Sequence, residues 1–420
     1  MKIAVIGLGY IGLPTAAMFA KSGIDVIGYD VNQEVVKALN KGKILITEPG
    51  LDELVKEVVE SNRLRGVTEL EESDAFIICV PTPINEDKTA DLEYVKNAAK
   101  TVSKHLRKGN AVVLESTSPP GTVENVVAPI LAESGLSIGE DVYVAYSPER
   151  VLPGKIIQEI VENDRVIGGI NEKSAEVVKD IYKVFVKGNI YTSDSKTAEL
   201  CKLMENTYRD VNIALANELA IFCEEMGINA WKVIELANKH PRVNIHLPGP
   251  GVGGHCLAVD PWFIVEKQTQ KGIIKKSREI NDYMPHHVFN KLKSLLPDEN
   301  AKIAILGITY KPNIDDLRES PIIELINLLI GKTNYRLSIH DPYAHKDMVS
   351  FSHLMADSIE EAVKDADILV LGVNHDDYRG MDFEMISSLM RTKHVYDTRN
   401  FFSEEKLRDC GFKFTLLGRD

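Results

Sequence analysis

Residues 2–12, KIAVIGLGYIG, constrain this chain most. An apolar run of strand length breaks into Gly7, Gly9 and Gly12 just where a helical pattern begins. Glycines at this spacing suit a dinucleotide: the first permits a tight turn, the second lets backbone approach a pyrophosphate, and the third allows close helix–strand packing. The helix start adds free N–H groups and the positive end of a dipole. Gly-x-Gly-x-x-Gly by itself is weak evidence, but Asp30 ends the next strand-like run, DVIGYD. A carboxylate there can accept hydrogen bonds from adenine ribose hydroxyls. A 2′-phosphate would meet it, and Val31, Asn32 and Gln33 supply no cation. NAD is therefore expected rather than NADP.

The rest of the N-terminal half alternates strand-like runs (AFIICVP, AVVLEST, VYVAYSP) with helical patterns at 14–22, 51–61 and 94–105. Near-continuous apolar strands separated by helices imply a parallel sheet covered on both faces. The C-terminal part repeats the plan: KIAILGITY echoes KIAVIGLGY, LSIHD echoes VIGYD, DADILVLGV echoes SDAFIICV, and HVYDTRN follows. In this second copy GLGYIG has become GITYKP, so it should bind something other than the dinucleotide. Between the halves, residues 196–226 lack Pro and Gly and read as one long helix stopped by Gly227. The expected class is α/β: two Rossmann-like doubly wound parallel-sheet domains joined by a long central helix in a helical middle domain. The boundaries read as 1–195, 196–297 and 298–420. Apolar positions cover more than one face of the long helix, so a dimer contact is expected on it.

With 420 residues, 44% hydrophobic and 26% charged, the chain can bury more than one core. No apolar run is long enough to span a bilayer, and the N-terminus enters a strand directly, which reads as cytoplasmic with no membrane partner. A net charge of −13 disfavours nucleic acid. Five cysteines, with no CxxC pair, suggest neither a disulfide framework nor a zinc site. Cys79, Cys201 and Cys223 lie in apolar or helical runs and read as small buried hydrophobes.

Cys256 differs. It ends the loop PGPGVGGHC, with Asp260 four residues on. A packed loop thiol is the plain alternative, but so glycine-dense a loop offers little apolar packing. If a helix starts near Cys256, its dipole lowers the thiol pKa and the Cys256 and Asp260 side chains share a face, which favours a nucleophile. In the long helix, Lys202, Asn206 and Arg209 share a face by their spacing; taken alone, that is the pattern of a solvated polar stripe.

Eight motifs in order, GLGYIG, CVPTP, ESTSPPGT, SPERVLPG, KLMENTYRD, PGPGVGGHCLAVDPWF, GITYKPNIDDLRESP and YDTRN, resemble the UDP-sugar (UDP-glucose/GDP-mannose) 6-dehydrogenase family over nearly the whole length. The resemblance implies an NAD-dependent enzyme that oxidises a sugar alcohol to a carboxylate through a cysteine thioester. Carried over residue by residue, it makes Cys256 the nucleophile and Asp260 the carboxylate that follows it in the motif. Lys202 and Asn206 become the groups that help deprotonate the alcohol and stabilise oxyanions, and Glu149 the acid/base of thioester hydrolysis. Thr117 becomes a hydroxyl between cofactor and substrate. Tyr10, Ile11, Thr82 and Arg318 fall at cofactor contacts. Arg150, Val151, Arg209, Arg242, Gly253, Tyr310, Lys311 and Arg399 fall where a UDP-sugar is held, with His240 a weaker candidate and Arg242 reaching a neighbouring subunit. A homodimer or homotetramer is implied.

Two departures bear on the sugar. The family's UDP-glucose enzymes carry a second glutamate where Pro153 stands here, and a lysine where Val259 stands. ERVLPG and GGHCLAVDPWF instead resemble the members acting on UDP-N-acetyl-D-mannosamine, with UDP-N-acetylglucosamine oxidation as the alternative. The expected reaction is four-electron oxidation of the C6 alcohol to the mannosaminuronate, feeding polysaccharide biosynthesis. A non-catalytic nucleotide-sugar binder would need a degraded catalytic set, and a two-electron hydroxyacid dehydrogenase would not need the Cys256 loop.

Overall fold

A computed structural model describes residues 1–152 and 154–419; Pro153 lies outside the described residues. The chain forms two compact units, Met1–Glu205 with Trp262–Gln268, and Asn206–Pro261 with Thr269–Asp420.

The first unit is built on β1 (Lys2–Ile6), β2 (Asp25–Tyr29), β3 (Leu64–Val67), β4 (Ala75–Ile78), β5 (Ala111–Leu114), β6 (Tyr143–Tyr146), β7 (Arg165–Gly169) and β8 (Ile190–Asp194). Their order is β3-β2-β1-β4-β5-β6-β7-β8. Every pairing is parallel except β6 with β7. In β1, Ile3 and Val5 join one apolar cluster while Ala4 and Ile6 join another. Successive side chains point to opposite faces, and helices cover both, so the strand has no polar position after Lys2. The strand order reverses between β1 and β4, which opens a crevice at the carboxyl ends of these strands.

The second unit repeats this with β9 (Lys302–Leu306), β10 (Arg336–His340), β11 (Ile368–Leu371), β12 (His394–Asp397) and β13 (Lys413–Leu416). The sheet is parallel throughout, ordered β10-β9-β11-β12-β13, with its reversal between β9 and β11. Ile303 and Ile305 face one cluster, Ala304 and Leu306 the other.

The long helix runs from Ser195 to Met226, 32 residues. It ends as foreseen: Gly227 takes φ +67°, and the Ile228 N–H reaches back to the Cys223 carbonyl at 2.8 Å. That six-to-one bond satisfies a carbonyl the helix would leave open. A further helix, Ile273–Leu295, was not foreseen and contains Pro285. Cys223 is buried as expected, whereas Cys201 is exposed and Cys79 only half-buried. Among the described residues no helix is long and apolar enough to cross a membrane.

Candidate active site

The turn after β1 has the geometry its glycines suggest. Gly7 has φ +92°, and a Cβ there would lie 2.7 Å from the Cys79 carbonyl oxygen. A Cβ on Gly12 would lie 1.9 Å from the Gly7 carbonyl oxygen, so only glycine lets the helix Gly12–Lys21 seat on the turn. At Gly9 nothing lies within 4 Å of the Cβ position, which leaves room for a ligand. Ile11 caps that helix without a side-chain hydrogen bond, and no acidic residue sits in the first turn. Such an N-terminus suits a pyrophosphate. Asp30 accepts the Leu8 N–H at 2.9 Å and the Asn32 N–H at 2.8 Å, one on each oxygen. A carboxylate has about four lone-pair sites, so acceptor capacity for ribose hydroxyls remains. These residues fit an NAD dinucleotide. Tyr10 stands exposed beside the turn, and Ile11 is half-buried.

The other candidates of this unit follow its strands at the same edge. Thr82 follows β4 and donates from Oγ1 to the Thr117 carbonyl, after β5, at 2.6 Å. The Thr117 loop is held by buried Glu199, which accepts the Gly121 and Val123 N–H groups at 2.5 and 2.8 Å. Burial pushes that carboxyl up to about 7, against the pull of the two N–H donors. Glu149 follows β6 and is buried; it accepts the Arg150 N–H at 2.7 Å and Arg165 Nη2 at 2.6 Å. Arg150 spends its fork on Glu205, Nε–Oε2 3.0 Å and Nη2–Oε1 2.7 Å. Val151 packs against the apolar cluster beneath. Lys202 is half-buried on the long helix.

The helix near the cysteine begins later than expected. It spans Asp260–Val265, and Cys256 sits one turn before it, joined by the Asp260 N–H to Cys256 carbonyl bond at 2.8 Å. Asn206 Nδ2 donates to Asp260 Oδ2 at 2.6 Å, which joins two candidate residues far apart in sequence. Glycines in the loop before Cys256 allow close approach of neighbouring groups. A Cβ on Gly253 would fall 2.5 Å from the Glu319 carbonyl and 2.8 Å from Tyr310 Cβ, and one on Gly249 2.6 Å from Arg399 Nη1. Gly253 thereby lies against Tyr310, and Gly249, earlier in the same loop, against Arg399. Burial raises the Tyr310 phenol pKa; Asp316 and Cys256 add to the shift, and Arg318 and Arg209 oppose it. Arg318 grips Asp316 through Nε and Nη2, and its carbonyl accepts the Gly254 N–H at 3.0 Å. Lys311 is exposed beside Tyr310. His240 and Arg242 are exposed in the loop beyond Ala230–Ala237, where His240 Nδ1 accepts the Arg242 N–H at 3.3 Å.

Asp341, at the end of β10, holds the position Asp30 holds after β2, but it is spent inside the protein. It accepts N–H groups from Ile308, Tyr343 and Ala344 and lies 3.1 Å from His375 Nε2. No acceptor is left for a ribose, in keeping with the loss of the glycine pattern in GITYKP. Among the described residues, no group of His, Cys, Asp and Glu could hold a metal ion.

Against known proteins, the chain matches the UDP-glucose/GDP-mannose dehydrogenase family in three consecutive parts. These are the NAD binding domain over residues 1–186, the central domain over 196–283 and the UDP binding domain over 304–404. The chain belongs to this family. It is 49% identical to a UDP-N-acetyl-D-mannosamine dehydrogenase of Methanocaldococcus jannaschii, covering 99% of this chain and 96% of that protein. It is 45% identical to an NDP-N-acetyl-D-galactosaminuronic acid dehydrogenase of Ralstonia solanacearum, over 96% and 97%. Its fold matches the solved UDP-D-ManNAc dehydrogenase of Pyrococcus horikoshii with a TM-score of 0.91 and 43% identity, covering 100% and 99%. It is an NAD-dependent dehydrogenase.

The residues that support the dehydrogenase's loops escaped the sequence reading. Glu48 accepts the Gly154 and Ile156 N–H groups, both at 2.8 Å. Beneath the cysteine loop, fully buried Arg278 donates to Asp210 at 2.5 Å and to the Leu257 carbonyl at 3.4 Å, and also pairs with Asp282. Asn281 joins Asp210 to Asn217, whose Oδ1 takes the Gly249 N–H at 2.9 Å. Each sits among other polar residues on an ordinary helix or loop. The only available signal was an arginine or carboxylate in an apolar helical face, and amphipathic helices carry many such residues by chance.

Proposed function

We propose that the enzyme oxidises C6 of UDP-N-acetyl-D-mannosamine to the carboxylate in two oxidations, with the sugar held on Cys256 between them. The observation that carries the chemistry is the Asn206–Asp260 bond, one turn from Cys256. It orients the Asn206 amide, whose second N–H we read as the donor to the oxyanion. NAD, when bound, takes the hydride at each oxidation. Lys202 and Asn206 help remove the hydroxyl proton and stabilise the negative oxygen that follows. Cys256 adds as thiolate to the aldehyde carbon, and the second oxidation leaves a thioester. Glu149 takes the proton of the water that cleaves it, which frees the thiol and the uronate. Thr117 is read as the hydroxyl that serves both cofactor and substrate. Arg150, Val151, Arg209, His240, Gly253, Tyr310, Lys311 and Arg399 hold the UDP-sugar, with Arg318, Thr82, Tyr10 and Ile11 at the cofactor.

The full-length likeness to UDP-N-acetyl-D-mannosamine dehydrogenases supports the choice of sugar, and the Ralstonia relative makes a galacto sugar the second candidate. We read the functional domains as 1–195, 196–297 and 298–420. The working form is at least a dimer, with Arg242 completing the partner's site, and five free cysteines suit a reducing cytoplasm. NADH formation over a panel of UDP-N-acetylmannosamine, UDP-N-acetylglucosamine, UDP-N-acetylgalactosamine, UDP-glucose and GDP-mannose tests the substrate. The first should give the highest kcat/KM, by at least about tenfold, which is ~1.4 kcal/mol of transition-state preference. A clear preference for another sugar overturns the assignment.

A further inference from the structure

Behind Glu149 lies a cluster of charge buried within the first unit. Arg165, at the start of β7, is 4% exposed, and Glu115, following β5, is 3% exposed. Arg165 Nη2 donates to Glu149 Oε2 at 2.6 Å, while Nη1 donates to Ser147 Oγ at 3.1 Å and reaches Glu115 Oε1 at 3.4 Å. Glu115 also accepts from Tyr182 Oη at 2.5 Å, Cys79 Sγ at 3.1 Å and Thr15 Oγ1 at 3.2 Å. The guanidinium rests on the Tyr182 ring at 4.5 Å. One cation therefore serves two buried carboxylates. A buried ion pair missing one partner is strongly destabilised, so the charge on each group depends on the other two.

We propose that Arg165 is a positioning residue for Glu149, and that Glu115, by drawing on the same guanidinium, tempers how firmly that cation holds Glu149. The proposal rests on the reading of Glu149 as the base of thioester hydrolysis. Arg165 pins one oxygen of Glu149 and the Arg150 N–H pins the other, so the carboxylate's orientation is fixed. The other ionisable groups of the cluster are Cys79 and Tyr182; burial raises both pKa values, which keeps them neutral donors. The Arg150 guanidinium is held away on Glu205. Burial also pushes the Glu115 carboxyl up, with Arg165 pulling against it and Glu149 adding to the rise, as two carboxylates competing for one cation require. Thr15 lies in the helix that follows the GLGYIG turn, and Cys79 meets that turn through Gly7. The cluster thus ties the acid/base carboxylate to the backbone of the dinucleotide site.

The test is single-turnover mixing of the complete enzyme with NAD and UDP-N-acetylmannosamine across pH 5–8.5. NADH absorbance reports the two oxidations, and acid-quenched uronate reports hydrolysis. Arg165→Lys keeps a charge but loses the fork. The acidic limb of its hydrolysis rate should rise by about one pH unit, a loss of about tenfold at low pH. Glu115→Gln removes the competitor, so its limb should move the opposite way, by at least about half a unit. NADH phases and KM for both ligands should stay within about twofold of the unmutated enzyme's. A purely structural role would not move the two limbs in opposite directions. If Arg165→Lys does not fold, Glu115→Gln retains the cation and decides the matter alone. Limbs that stay in place, or move together, overturn the proposal. Glu149→Gln separates the two failures: hydrolysis at the normal rate in that variant discards the reading of Glu149 itself. Slow hydrolysis there with unmoved limbs in the other two discards only the role of Arg165.

Discussion

His394 starts β12 and is buried, with Nε2 2.9 Å from Thr415 Oγ1 on the neighbouring strand. Burial, helped by Lys413, lowers its pKa to about 4. An unfolded histidine titrates near ~6.5, so between those values the unfolded chain binds more protons than the folded one. The stabilisation is whole above the unfolded value and is lost as pH falls toward 4, by on the order of 1–3 kcal/mol. Glu199 works with the opposite sign. Its folded pKa, raised to about 7, lies above the unfolded value, so its protonated form favours the fold and that contribution fades as pH rises toward 7. The raw stability curve mixes the two, whereas a difference between variants does not. Denaturant midpoints of the parent and His394→Gln from pH 4.5 to 8 should show a stability gap that depends on pH. Relative to the parent, the variant should gain by about 1 kcal/mol or more as pH is lowered, because glutamine has no proton to take up. A gap constant with pH would show that His394 titrates normally. Neither shift was legible in the sequence, because both depend on which strand or loop covers the side chain.

The long helix shows what a one-dimensional pattern does and does not reveal. Its extent and its Gly227 stop could be read from composition, since propensity and capping are local. Ile273–Leu295 could not, because Pro285 reads as a stop, and the lost hydrogen bond is tolerated only where packing holds the helix together. The strands β3, β7 and β8 escaped for a different reason: LRGV, RVIGG and IYTSD are short and mix polar residues or glycines with apolar ones, without the apolar continuity of β1 or β9. On the long helix, Leu200, Met204, Tyr208, Leu215, Phe222 and Met226 are exposed, at spacings of four and seven that keep them on one face. A stripe of this length is the surface we assign to the dimer contact. Leu215→Glu with Phe222→Glu should leave the chain monomeric in light scattering, against the dimer proposed for the parent, since losing central apolar anchors costs about 2–4 kcal/mol each. Activity should fall with the mass if Arg242 completes the partner's site. A double variant that keeps both its mass and its activity would place the contact elsewhere.

The repetition of the sheets, the dinucleotide turn and the order of the motifs were all legible because each is written in a contiguous stretch. Bonds such as Asn206–Asp260 and Arg165–Glu149 were not, since they join residues 54 and 16 positions apart through the folded chain. The cysteine's role depends on the whole reaction rather than on any one contact, and stoichiometry tests it most directly. A thiolate is needed only if the aldehyde is captured and oxidised again, so the enzyme should form two NADH per sugar and release no free aldehyde. Cys256→Ala should stop uronate formation while NAD still binds, because the Gly7–Gly12 turn belongs to the other unit. Cys256→Ser should lower the rate by several orders of magnitude, since a neutral hydroxyl is a far weaker nucleophile than a thiolate. Any ester it forms would also persist, because an alkoxide leaves less readily than a thiolate. Intact mass after incubation with substrate and NAD should then show the serine variant carrying a sugar nucleotide adduct. Uronate made by Cys256→Ala at the normal rate, with two NADH per sugar, would mean that no covalent intermediate forms at this residue.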